Sequence, residues 1–257
     1  MIRLLAHQTR YELLTFVRNR QGPFFTVALP VIFLVIFVSV FGNNLVGAEH
    51  VKASTYYVPG IAALAVLSAA FTNLVISITT QRELGILKRR RATPVPAWVL
   101  VTARALCALV VGIVVMAVVI SIGRFAYGVH LAPSALPFVV LTAAAGSLAF
   151  ACLGYALSTL ITSADAAQPV TLATTLPLYF ISGVFFPSVR LPVFLRHVAE
   201  AFPVEHLVAA LHNGFIPGAH TSSVAWGDLG IVAAWGVAGL ALALARFSWT
   251  PRSAIAT

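Results

Sequence analysis

Gln81-Arg-Glu-Leu-Gly-Ile-Leu-Lys-Arg-Arg-Arg-Ala-Thr-Pro-Val-Pro96 separates two long apolar runs and holds Arg82, Lys88, Arg89, Arg90 and Arg91, five of the chain's sixteen basic residues. At a bilayer centre each Lys or Arg costs about 2.5 to 3.5 kcal/mol on insertion scales. Such a stretch belongs in water, and the excess of cations on cytoplasmic loops puts that water inside the cell. The orientation of every other run follows from this one.

Working outward, the composition agrees with a membrane setting. A soluble globular domain carries roughly 25% charged residues; this chain of 257 residues carries 9% and is 60% hydrophobic, with a mean hydropathy of +0.97. The expected fold is all-α and polytopic. The net charge of +9 would suggest nucleic acid in a soluble chain, but here the cations flank apolar spans. Orientation and anionic membrane lipid account for them, and no nucleic-acid partner is expected. Cys107 and Cys152 lie in apolar runs outside any Cys-x-x-Cys or Cys/His spacing and read as buried free thiols.

Residues 1–22 place Ile2, Leu5, Ala6, Thr9, Leu13, Phe16 and Val17 at steps of three and four, with Arg3, His7, Arg10 and Arg18 mostly elsewhere. This is the pattern of an amphipathic helix in the cytoplasmic interface; the alternative is a solvated tail. Six stretches free of Lys, Arg, Asp and Glu, Arg104 apart, then read as spans: 24–41, 58–80, 98–122, 136–161, 169–186 and 229–245. The first is longer than the apolar region of a signal peptide and reads as an uncleaved span with a tolerated kink at Pro30. A polar loop is expected over 43–57. Arg104, about two turns into the third span, is expected to snorkel to the near face. The last span, between Asp228 and Arg246, is the shortest.

An even number of spans puts both termini on one side. Arg3, Arg10, Arg18, Arg20, the five cations of the basic loop, Arg104, Arg246 and Arg252 then share the inner side, against Lys52, Arg124, Arg190 and Arg196 outside. Segment 187–227 is too broken by Pro192, Pro203, Glu200 and Glu205 to span. It reads as two short helices dipping into the outer half of the bilayer, or else as a solvated loop.

Few constellations carry chemistry. The sequence has no Gly-x-x-x-x-Gly-Lys-Ser/Thr loop to cradle a nucleotide and no Gly-x-Ser-x-Gly elbow. His197, Glu200, Glu205 and His206 are close but lack a zinc spacing, and Asp165 reads as a solvated turn or helix cap. Scarcity of intramembrane charge argues against ion coupling. The basic loop offers more, because Glu83, Leu84, Gly85, Ile86 and Leu87 place an acid and three apolar residues before the cationic run, and Thr93-Pro94 forces an extended exit. A loop that only sets topology needs cations alone. This one reads as a short helix that docks on a cytoplasmic partner, with Gly85 allowing close backbone approach.

The order of these features resembles the permease subunit of type-2 ATP-binding-cassette exporters. The most specific parts are Glu83-Leu84-Gly85-Ile86-Leu87-Lys88-Arg89 with Ala92-Thr93-Pro94-Val95-Pro96, similar to that family's coupling helix, and Ile181-Ser182-Gly183-Val184-Phe185-Phe186-Pro187, similar to the end of its fifth span. Pro192 and Phe202-Pro203 correspond to its outer re-entrant helices. The resemblance implies a multi-pass protein of the cell or inner membrane, paired with a second permease subunit, identical or homologous. Separate ATPase subunits would bind ATP and magnesium, leaving this chain without catalytic, cofactor or metal residues. It implies that Glu83, Leu84, Gly85, Leu87, Lys88 and Arg89 receive the ATPase motion, that Ser182, Gly183 and Pro187 form the outer motif, and that the first, second and fifth spans line the path. No aromatic series suited to sugar stacking is visible, which favours an amphipathic drug or lipid over a polysaccharide. Two competing readings are a membrane enzyme using His197, Glu200 and His206, and an assembly factor that transports nothing.

Overall fold

In a bilayer the backbone has no water to bond, so apolar runs of this kind fold into helices that satisfy their own N–H and C=O groups. The computed structural model describes residues 1–19, 21–41, 44–46, 51–92, 95–187, 191–215 and 225–247. Thr93 and Pro94, and Arg20, Arg190 and Arg252 of the charge pattern, lie outside the described residues.

Helix α1 (Ile2–Arg18) leads into α2 (Gln21–Phe41). A minimal antiparallel ladder pairs β1 (Leu45–Val46) with β2 (Val51–Lys52), Leu45 opposite Lys52. One long helix follows, made of α3 (Ala53–Leu67), a π turn at Ser68–Thr72 and α4 (Asn73–Glu83). The short α5 (Ile86–Arg91) precedes α6 (Ala97–Tyr127). A 3-10 turn at Pro133–Ala135 opens α7 (Leu136–Ser158), followed by α8 (Ala164–Ile181), α9 (Val193–Glu200), α10 (Pro203–His212) and α11 (Trp226–Arg246).

Among the described residues five helices are long and apolar enough to cross a membrane: Gly22–Phe41, Ala53–Glu83, Ala97–Tyr127, Pro133–Ser158 and Trp226–Arg246. This is a multi-pass, all-α membrane protein. The helix short of apolar residues is α8, which is eighteen residues long and carries Asp165, Gln168 and three threonines. It is about 27 Å long, against a hydrocarbon core of about 30 Å. The run 229–245 was expected to be the shortest, yet α11 has 21 residues. Its first turn takes in Trp226, Gly227 and Asp228, an acid being favourable at a helix N-terminus.

Three boundaries differ from expectation. The polar loop after α2 is shorter than 43–57, because residues 53–57 already form the buried start of α3. Helix α8 begins five residues before 169, where Ser163 Oγ accepts the Ala166 amide at 3.3 Å as an N-cap. It stops at Ile181 because Gly183 adopts φ 76°, a left-handed turn that glycine enters without penalty. Ser163, not Asp165, is therefore the cap.

Every residue of α3 from Tyr56 to Leu67 is buried, and α2, α6, α7 and α10 surround it. Between α7 and α11 the contact is backbone to backbone: a Cβ on Gly236 would sit 2.9 Å from Ala149 Cα, and one on Gly239 would sit 3.0 Å from Leu153 N. Small residues permit such approach in membranes. The expected outer pair of short helices is present as α9 and α10. Of these α10 is core, burying Val204, Leu207, Val208 and Leu211, while α9 exposes Val193 and Phe194. Helices α1 and α5 and the C-terminal end of α11, where Phe247 packs 6.0 Å from Tyr155, gather at one end of the bundle, called the basic end below.

Candidate functional site

At the basic end the long second helix breaks where Gly85 takes φ 67°, with nothing within 4 Å of the position a Cβ would occupy. The chain turns there and α5 begins. Leu87 drops inward, 4% exposed, among Leu74, Ile78, Ala151, Tyr155 and Ala243. Lys88, Arg89 and Arg91 face outward, as does Leu84, 61% exposed. The residues expected to act together thus divide: Gly85 makes the turn, Leu87 anchors it, and Leu84, Lys88 and Arg89 are presented outside.

Glu83 has an internal partner. Its carboxylate accepts the Ala164 amide at the N-terminus of α8, while the neighbouring Arg82 donates to the carbonyls of Ser158, at 2.8 Å, and of Ile161, at the C-terminal end of α7. The partial charges of a helix are negative at its C-terminus and positive at its N-terminus, and its end groups lack partners within the helix. Adjacent residues of opposite charge therefore clasp the α7–α8 turn. Arg82 is 1% exposed. Its expected place in water is corrected to a buried one, made possible by the carbonyl oxygens that surround it.

Glu12 of α1 joins this end of the bundle, although it is not among the residues expected from the sequence to act there. It is 7% exposed, pairs with Arg90 of α5, and accepts from Arg104 Nε of α6 at 3.4 Å; Arg104 also donates to Gln81. Burial opposes ionisation of Glu12, but the charges of Arg104 and Arg90 and the hydrogen bonds from Arg90 and Gln8 outweigh it and hold the carboxyl below its ordinary range. The expected snorkelling of Arg104 is corrected too, since its guanidinium stays inside against Glu12 and Gln81. A signal existed: Glu12 is the one acid in residues 1–22, and it sits within the apolar stripe between Thr9 and Leu13.

Above this network lies a cavity of about 660 Å3. Glu12, Gln81, Leu84, Ile86 and Arg104 line its basic end, Phe16, Asn19 and Phe25 one side, and Ala69, Thr72, Cys107, Ala108 and Val111 its depth. The π turn Ser68–Thr72 forms part of that wall, and beside it Asn73 Nδ2 donates to Thr26 Oγ1 at 2.7 Å.

At the opposite end, Ser182, Gly183 and Pro187 are buried. The Gly183 carbonyl accepts from Tyr56 Oη at 2.9 Å, and a Cβ on Gly60 would sit 3.1 Å from the Val184 carbonyl, so this motif packs directly on α3. Phe185 stacks on Phe37 with centroids 5.1 Å apart, and Tyr57 lies 5.0 Å from the same ring. An aromatic series is thus assembled from separate segments, where none was visible in the sequence. Nearby, His206 faces Asp228 Oδ1 through Nδ1 at 2.7 Å and the Glu200 carbonyl through Nε2 at 2.8 Å. Burial opposes its protonation, but the bonds to Asp228 and Glu200 and the nearby carboxylates raise its pKa above the ordinary value. Among the described residues no three His, Cys, Asp or Glu side chains gather as a metal site.

A model of the ABC-2 type transporter family matches residues 4–216. The chain is 23% identical over 197 residues to the inner membrane transport permease YadH of Escherichia coli K12, covering 74% of this chain and 75% of that protein. It is 24% identical over 174 residues to the probable multidrug ABC transporter permease YbhR of the same organism, covering 68% of this chain and 47% of that protein. With the family model spanning both the α4–α5 elbow and the Ser182–Pro187 motif on a helical membrane fold, this chain belongs to the ABC-2 type transporter family.

Proposed function

We propose that the chain is the permease subunit of an ATP-driven exporter, moving an amphipathic drug or lipid-like molecule out of the cytoplasm or the inner leaflet. A separate ATPase subunit supplies the ATP hydrolysis and carries its magnesium. The family and the naming of YadH and YbhR as permeases support this reading, as does one observation: the α4–α5 elbow presents Leu84, Lys88, Arg89 and Arg91 outward while its other face is locked into the bundle.

Motion imposed on α5 has three ways into the membrane. Leu87 bears on α4, α7 and α11 through a shared apolar cluster. Arg90 pulls on α1 through Glu12, whose other oxygen meets Arg104 of α6. Arg82 and Glu83 hold the end of α7 and the start of α8. Packed interiors transmit displacement because they are dense, so a push on α5 reaches six helices: α1, α4, α6, α7, α8 and α11. In this reading the basic end is cytoplasmic, both termini are inside, the protein sits in the inner membrane, and two permease subunits form the path.

The test is reconstitution in lipid with a cognate Walker-type ATPase, followed by ATP hydrolysis across a panel of drugs and lipids. Stimulated hydrolysis is expected. Failure to co-purify with any ATPase overturns the proposal, and activity with a soluble polysaccharide alone would move the substrate assignment.

A further inference from the structure

We propose that the cavity above the Glu12–Arg104 pair binds one uncharged amphiphile whose hydroxyl, ester or amide groups run along one edge of a rigid apolar body. Among the described residues its lining carries charge only at Glu12 and Arg104, and these bond each other at 3.4 Å. Arg90, on the other oxygen of Glu12, is not part of the lining. The lining charges therefore cancel and are already paired. A charged ligand would give up its water there and meet no opposite charge of its own.

The other hydrogen-bonding groups are neutral, and most lie along one helix. Asn73, Ser77, Thr80 and Gln81 of α4 line the cavity at successive steps of four, three and one, which sets them on one stripe of the helix, about 12 Å long. Internal bonds hold part of this stripe in place. Asn73 Nδ2 donates to Thr26 Oγ1 at 2.7 Å, and Gln81 Nε2 donates to Ser77 Oγ at 3.0 Å. The Asn73 amide oxygen and the Ser77 hydroxyl proton are left for a ligand, alongside the Thr80 hydroxyl. Phe16 of α1, Phe25 of α2, and Cys107, Ala108 and Val111 of α6 make the remaining walls mostly carbon. Asn19 and Gln168 add only neutral amides. An apolar occupant would strand the α4 stripe, and a molecule polar at one end alone would leave most of it unpaired. A rigid body with its polar edge against α4 and carbon against α6 meets both demands, and about 660 Å3 is the volume of sites that hold drug-sized ligands.

The inference rests on the permease reading only for a role in transport; binding itself is measured on the chain alone. Tritiated methyl cholate, uncharged and with hydroxyls along one face of its steroid body, is bound to the chain in phosphatidylcholine nanodiscs, with empty nanodiscs as the blank. Its competitors are unlabelled methyl cholate, anionic cholate, the cationic side-chain amine of the same skeleton, and methyl cholanate, which lacks the hydroxyls. Methyl cholate is expected to displace the label at least about tenfold more effectively than any of the others. Thr80→Val keeps the shape of the wall and removes one hydroxyl; it is expected to weaken methyl cholate about fivefold and to leave methyl cholanate unchanged. Ala108→Phe fills the space between the walls and is expected to weaken both, and the milder Thr80→Val keeps the test decisive if Ala108→Phe fails to fold. Arg124→Gln, in the last turn of α6 and away from the cavity, is expected to leave binding unchanged. A charged analogue that displaces as well as methyl cholate, equal affinity with and without the hydroxyls, or binding indifferent to both cavity variants overturns the proposal. Binding intact with no ATPase stimulation in the complex would sink the exporter reading and leave this site standing; drug-stimulated hydrolysis with no methyl cholate bound would do the reverse.

Discussion

Glu12 shows how one side chain can join three helices. Its carboxylate is buried between Arg90 and Arg104, and losing one member of a buried ion cluster leaves the others uncompensated. Glu12→Gln is expected to cost about 3 kcal/mol, read as a lowered thermal midpoint in detergent, with insertion unchanged. Because its pKa is lowered, its stabilising share is present above the ordinary carboxylate range and is lost as pH falls through the native value. The acid limb of a stability profile should therefore flatten in the variant. Glu12 was hard to read in the sequence because a helical stripe with one acid looks like an imperfect amphipathic face. Only the arrival of Arg90 and Arg104, 78 and 92 residues away, explains it.

Among elements, the joint between α10 and α11 should respond to pH. The Nε2 of His206 faces a carbonyl, which can only accept, and Nδ1 faces the Asp228 carboxylate, so both bonds form fully only when the ring is protonated. With the native pKa raised, this stabilisation is complete below the ordinary histidine value and fades as pH climbs through the native one. Glu205, whose carboxyl is pushed up by burial and by the acids near it, acts in the same direction. The protection factor of amides in the first turn of α11, exchange being referred to the intrinsic rate at each pH, is expected to fall above neutral pH in the native chain and to stay flat in His206→Gln. Equal slopes in both would refute the latch. A second prediction concerns α7 against α11, where Gly236→Val meets Ala149 backbone and cannot be relieved by a rotamer. A loss of about 2 kcal/mol is expected, read from the thermal midpoint. Helix existence was legible here from the length of the apolar runs. The start of α8 was not, because Ser163 and Glu83 fix it and proline at 169 looked like a beginning.

For the molecule as a whole, orientation and coupling can be separated. Charge reversal at Lys88, Arg89 and Arg91 removes exposed cations only, so the midpoint should stay within about 0.5 kcal/mol of native while ATPase-driven transport is lost. Normal transport in a correctly inserted mutant would refute docking through α5. Labelling of Lys88 only from outside intact cells would invert the topology. Composition and hydropathy were enough, by themselves, to determine a helical multi-pass protein with a cationic elbow after its second span, since charge and the bilayer act on each segment without reference to the others. Tertiary structure decided which cations face water and which are buried, and that Phe185, Phe37 and Tyr57 meet. It also decided that a cavity opens beside Arg104. Ion pairs and ring contacts depend on residues far apart in the chain, and their spacing carries no periodic trace.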